Sequence, residues 1–337
     1  MMGERFRKTD SCGTAYTRIY ELIEHPISKK YNDVESRIYA EKLLQETIEE
    51  MNSSTDLSID KGILGVALVI NFLIYNRYID GDVDEVLGDV DALLYKNLKN
   101  EDIHYGLSCT SGLVCFLVYL VERIGCTKNR KSLCANMNEE SLRTVINKLG
   151  QTAMPQFVNL TKDVYTSIIN DYPILFLYLG KAIKLGVYSD TIYSIAKTWT
   201  KSVTSYLPYH SINRLYLAIS LSYLNQSIKN ELLEKYVKLL LFSLDMDDIY
   251  KEVDEKIMNI NEGAFFIEIL LWASKNQFKE NDFQKKTAAL QIKLKTAIPP
   301  LYDRFIEKFP SRDCDLHFIN GILGVETLRI LYPFIFE

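Results

Sequence analysis

Lys61-Gly62-Ile63-Leu64-Gly65-Val66-Ala67-Leu68-Val69-Ile70-Asn71-Phe72-Leu73-Ile74 decides how the rest of this chain reads. A Gly-x-x-Gly turn runs straight into an almost uniformly apolar segment. Near the C-terminus the same beginning returns as Asn320-Gly321-Ile322-Leu323-Gly324-Val325, leading into a second apolar run, Leu328 to Phe336. Two near-copies of one turn and helix start, far apart in the chain, imply an internal repeat.

The helix after Gly65 is apolar on nearly every side, which predicts burial all round. The next segment differs. Asp82 to Leu98 carries Val83, Val86, Leu87, Val90, Leu93 and Leu94 on one stripe, with acidic residues opposite, as a helix with one wet face does. Asp82 suits the N-cap, and the acids near it complement the positive end of the helix. The unit is therefore an inner, buried helix followed by an outer, half-exposed one, joined by a polar turn around Tyr78 to Asp80.

The unit can be followed along the chain. His104 to Gly112 introduces Leu113 to Val121. A polar insertion, Gly125 to Asn138, then precedes an outer helix, Glu139 to Leu149. Asn170 to Pro173 introduces Ile174 to Leu179, followed by Tyr188 to Tyr206. His210 to Arg214 introduces Leu215 to Leu224, followed by Glu231 to Leu244. Asn261 to Gly263 introduces Ala264 to Ala273, followed by Phe283 to Ile298. That gives about six units of roughly 50 residues each, within the range of helical repeats. Strand alternation and hairpin turns are almost absent. The last unit ends on its inner helix, so the amphipathic helix starting at Asp33 is expected to supply its outer partner and close a ring. An open solenoid would need polar caps at both ends. The expected fold is all-α: an α/α toroid, with residues 16–337 as one domain and residues 1–15 disordered.

Composition narrows function. The 337 residues are 47% hydrophobic and 25% charged, with net charge −5, which lacks the basic face that nucleic acid requires. No apolar stretch reaches the length of a membrane span. No export signal is visible, and the six cysteines (12, 109, 115, 126, 134 and 314) form no CxxC pair. Free thiols in a cytoplasmic protein are the expectation.

With these motifs the sequence resembles the lanthionine synthetase C-like (LanC-like) family, whose signature is a Gly-x-x-Gly turn opening each inner helix, here Gly62 with Gly65 and Gly321 with Gly324. The resemblance implies an α/α barrel acting in lanthionine biosynthesis. Enzymes of the family add a peptide Cys thiol to dehydroalanine or dehydrobutyrine, with zinc keeping the thiol as thiolate. It also implies a precursor peptide, or peptide-modifying enzymes, as partners. The family's zinc is held by a Cys in the fifth or sixth turn and by a Cys-His pair before the last Gly-x-x-Gly. Here Ile319 and Asn320 stand where that pair would be, and Met258 falls near the other Cys, so the usual zinc site is expected to be missing and no cofactor is expected.

Some candidates remain. His210 sits where the family places a His just before the turn glycine, and imidazole suits proton transfer; the alternative is an ordinary turn histidine. Asp171 is the nearest carboxylate to a catalytic Asp, at a shifted offset. Cys314 and His317 form a C-x-x-H pair that reads as displaced metal ligands, with Cys109 as a third ligand or a reactive thiol, since zinc needs at least three ligands from the protein; the bland alternatives are an ordinary loop pair and a small buried Cys replacing a turn glycine. The leading expectation is a degenerate peptide-binding or scaffolding homologue without the zinc site. The alternatives are an active cyclase with unusual ligands, and a carbohydrate-processing toroid enzyme using Glu262 and Asp171 as paired carboxylates.

Overall fold

The computed structural model describes residues 34–59, 62–75, 79–109, 111–127, 130–152, 167–255 and 283–289, with isolated positions 77, 278 and 292. The described residues contain helices and no strand. In chain order these are α1 (Val34–Ser53), α2 (Ile63–Tyr75), α3 (Val83–Lys99), α4 (Leu113–Cys126), α5 (Leu133–Gln151), α6 (Ser167–Leu185), α7 (Ser189–Val203), α8 (Ser211–Ile228), α9 (Glu231–Phe242) and α10 (Met246–Glu255). A further helical segment covers 283–289. The N-terminal residues 1–15, the fifth and sixth turns and the last inner helix lie outside the described residues.

Two layers result. The inner helices α2, α4, α6 and α8 pack side by side in chain order. Each packs on the helix that follows it, α2 on α3, α4 on α5, α6 on α7 and α8 on α9, while α3 meets α5 and α5 meets α7 in the second layer. The inner–outer distinction read from hydropathy holds where it can be seen. In α4 every residue from Leu113 to Val121 is buried. In α3 burial is confined to the stripe Leu87, Val90, Asp91, Leu94 and Leu98. Capping agrees as well: the Asp82 carboxylate accepts from the Asp84 N–H at 2.9 Å, with Lys96 and Lys99 in the last turn of α3.

Two expectations need correction. The polar run Gly125 to Asn138 is not an insertion preceding a helix at Glu139. It is split between the end of α4 and the first turns of α5, which starts at Leu133 under a Ser132 cap accepting from Ala135 N–H at 3.0 Å. Its polarity is used inside. Asn138 is fully buried and donates through Nδ2 to Asp91 Oδ2 at 2.8 Å. Likewise Asn170 to Pro173 is no turn: Pro173 lies within α6, where it forgoes one backbone bond. The residues that follow it, Ile174 to Leu179, are all buried, and their packing offsets that loss.

The polar side chains at the α3–α4–α5 seam form one network. Asp91 and Arg123 are both fully buried. Arg123 Nε donates to Asp91 Oδ2 at 3.1 Å and Nη2 to Asp84 Oδ1 at 2.6 Å, while Tyr119 Oη donates to Asp91 Oδ1 at 2.6 Å. Burial pushes the Asp91 carboxyl above its ordinary range against the opposing pull of Arg123, Tyr119 and Asn138. Burial also works on Asp84, yet hydrogen bonds from Ser132 and Arg123 hold that carboxyl below its ordinary range.

Candidate functional site

Most of the residues of the turns leading into α2, α4 and α8 are described and can be compared. The first turn is a backbone clamp. Asp56 O accepts from Ile63 N–H at 2.8 Å, and Ser58 N–H donates to Asp56 Oδ1 at 2.9 Å. A Cβ on Gly62 would lie 2.2 Å from Asp56 O and 2.6 Å from Ser58 N. Only glycine admits so close an approach. About fifty positions later the arrangement repeats. Leu113 N–H donates to Gly106 O at 2.8 Å, and a Cβ on Gly112 would lie 2.4 Å from Gly106 O and 2.6 Å from Ser108 N. The same atoms stand at the same sequence offsets, so the two turns are copies of one loop.

This register revises the roles of two residues. Leu57-Ser58-Ile59 matches Leu107-Ser108-Cys109, and Ile59 and Cys109 are each 1% exposed. Cys109 therefore fills an apolar position of the turn, not a glycine position. Gly65 is matched by Cys115, whose thiol donates to Leu57 O at 3.6 Å and so ties the second inner helix to the first turn. Gly-x-x-Gly spacing does not mark Cys115; the fifty-residue offset between the two turns is the signal in the sequence that does.

The turn before α8 is built otherwise. His210 is the N-cap residue, but its side chain makes no cap hydrogen bond; its ring packs edge-on against Tyr209 at 5.0 Å. Arg214 ties the loop together. Its Nε donates to Pro208 O at 2.6 Å, Nη2 to Tyr209 O at 2.9 Å and Nη1 to Ser243 O at 2.6 Å. The Tyr236 hydroxyl donates to Tyr206 O, and Ser211 Oγ accepts from Asp245 N–H at 3.2 Å.

The remaining predicted residues fall as follows. Asp171 lies on helical backbone within α6, and its side chain is outside the described residues. Cys314, His317, Gly321, Gly324 and Glu262 are outside them too. Cys109 and His210 belong to the turns of α4 and α8, which α6 separates in the inner row. A cleft of about 560 Å³ between the ends of α3 and α5 and the second turn is lined by residues including Leu98, His104, Tyr105, Leu113, Lys148 and Gln151, and neither Cys109 nor His210 reaches it.

Among the described residues no three His, Cys, Asp or Glu side chains converge. Burial pushes the Cys126 thiol up to about 11, the wrong direction for a thiolate ligand, and raises Cys134 as well. No helix among the described residues is long and apolar enough to cross a membrane. No protein-family model matches the chain, and no curated protein matches it.

Proposed function

We propose that this protein is a LanC-like α/α toroid that binds a ribosomally made precursor peptide, or the enzymes that modify it, on the turn end of its inner helices, in the cytoplasm and without zinc chemistry. The observation that carries this reading is the duplicated clamp at Gly62 and Gly112, which fixes the starts of two neighbouring inner helices in the same way. A two-layer array of inner and outer helices is the arrangement such a toroid requires, and the described free cysteines suit a reducing compartment. Burial of Cys109 favours binding over thiol activation at that residue.

The test has two arms. A fluorescein-labelled precursor peptide encoded beside this gene is titrated with the full-length protein and followed by anisotropy; saturable binding is expected. In parallel, a peptide carrying one Cys and one dehydroalanine is incubated with protein and zinc, and ring closure is followed by mass spectrometry. Closure no faster than the spontaneous rate is expected. Zinc-dependent acceleration would replace this reading by an active cyclase, and absence of saturable binding would remove it.

A further inference from the structure

The fourth turn presents something that the clamped turns do not. Tyr209 is 72% exposed, Leu207 41% and Phe242 91%. The backbone segments that carry them are joined by one guanidinium, since Arg214 binds the carbonyls of Pro208 and Tyr209 on one side and of Ser243 on the other. Tyr236 fixes the carbonyl just before Leu207. These large apolar side chains therefore stand on backbone that is already immobilised. Exposing them costs solvation free energy, and their docking would forfeit little loop entropy, the property that distinguishes strong contact residues from ordinary surface ones.

The charge around them selects the ligand. Asp245, Asp247 and Asp248 follow Phe242 closely in the chain and are all exposed. Asp245 Oδ1 accepts from the N–H groups of Asp247 and Asp248 at 2.9 and 3.2 Å, which anchors this acidic edge at the start of α10. Arg214 spends its donors on backbone carbonyls, and Lys238, one turn back from Phe242, is paired with Glu234 at 2.7 Å.

We propose that Leu207, Tyr209 and Phe242 form a docking patch for a basic peptide segment carrying aromatic or long aliphatic side chains, with Asp245, Asp247 and Asp248 as its acidic rim. This rests on the peptide-binding reading above and places that contact at the fourth turn. Apolar side chains lie on the pinned patch, and flanking Lys or Arg meet the carboxylates, an attraction that weakens with salt.

The probes are two fluorescein-labelled dodecapeptides, one of Lys, Phe, Leu and Gly, the other with Glu in place of every Lys, titrated against the full-length protein. The lysine peptide is expected to bind and the glutamate peptide not to. Phe242→Ser and Tyr209→Ser, which replace exposed side chains and leave the melting transition in place, should each weaken the lysine peptide by about tenfold or more. Asp248→Asn should weaken it a few-fold and flatten the salt dependence. Equal binding of the glutamate peptide, or undiminished binding to both Ser variants, overturns the patch. So does a concentration-dependent dimer in sedimentation that Phe242→Ser abolishes, which would give the surface to a second copy of the chain. Loss of the patch with the precursor peptide still bound leaves the proposed function standing; failure of the precursor to bind the wild-type protein removes that function.

Discussion

The turns before α4 and α8 solve one problem in two ways. Each must bring the chain back from the outer layer and aim it into an inner helix. At Gly112 the backbone folds onto itself so closely that a Cβ would sit 2.4 Å from a carbonyl oxygen. At Arg214 the backbone stays open, and a side chain gathers three carbonyls instead. The clamp is compact: Leu107 and Ser108 are half-buried and Cys109 is buried. The staple props the loop outward and leaves Leu207 and Tyr209 in solvent. A turn fixed by close backbone approach is therefore suited to holding units together, and one fixed by a side chain is free to present others.

The contrast extends beneath the turns. The half of the array around α4 carries the buried Asp91–Arg123 pair. Arg123→Met should give the largest loss of stability, about 3–5 kcal/mol, because it strands a buried carboxylate. Urea unfolding measures this, and hydrogen exchange should show protection lost in α3 to α5 before α8. A loss below about 1 kcal/mol would mean that water reaches Asp91 and that the pair is not the keystone its burial implies.

Next come the clamps. Gly62→Ala and Gly112→Ala should each cost about 3 kcal/mol, at the upper end of overpacking effects, since the obstructing atoms are backbone and cannot rotate away. Similar losses at both sites would support their being copies of one loop. A mild effect at one alone would break that equivalence.

Arg214→Met should cost less, about 2 kcal/mol. The guanidinium is only half-buried, and water can satisfy part of what the three carbonyls lose. The loss should be local: faster amide exchange at 204–210, with α4 unchanged. Exchange that rises equally across both turns would show that the array opens as one unit.

How much of this the sequence carried can be traced through residues. The inner and outer helices were legible because burial and hydropathy have the same period, as in α3 and α4. The Asp82 cap was legible because it acts on the adjacent turn. The start of α5 was not, because Asn138 looks like loop chemistry until Asp91, far away in the chain, is seen to receive it. Pro173 misled because a local breaker was weighed without the burial that follows it. Cys109 and His210 stand out by residue type and resemblance alone. Burial of the first, and the hold of Arg214 on the loop that carries the second, are facts of the fold with no signature in residue type. The staple is of the same kind, as it joins position 214 to 243.

The smallest effect is the most discriminating. Gly88 lies within α3, on the outer layer beside the same seam. A Cβ there would meet only Cys134 Sγ, at 3.8 Å, which is ordinary van der Waals contact. Helical glycine costs about 0.5–1 kcal/mol relative to alanine, through the freedom the unfolded chain must give up. Gly88→Ala should therefore raise stability by about 0.5 kcal/mol, seen as a higher midpoint in urea with an unchanged slope. The same substitution is thus expected to carry opposite signs at Gly112 and Gly88. Equal signs would mean that glycine's general effect on helix propensity outweighs the clamp, and the turn before α4 would lose its claim to be built around one missing side chain.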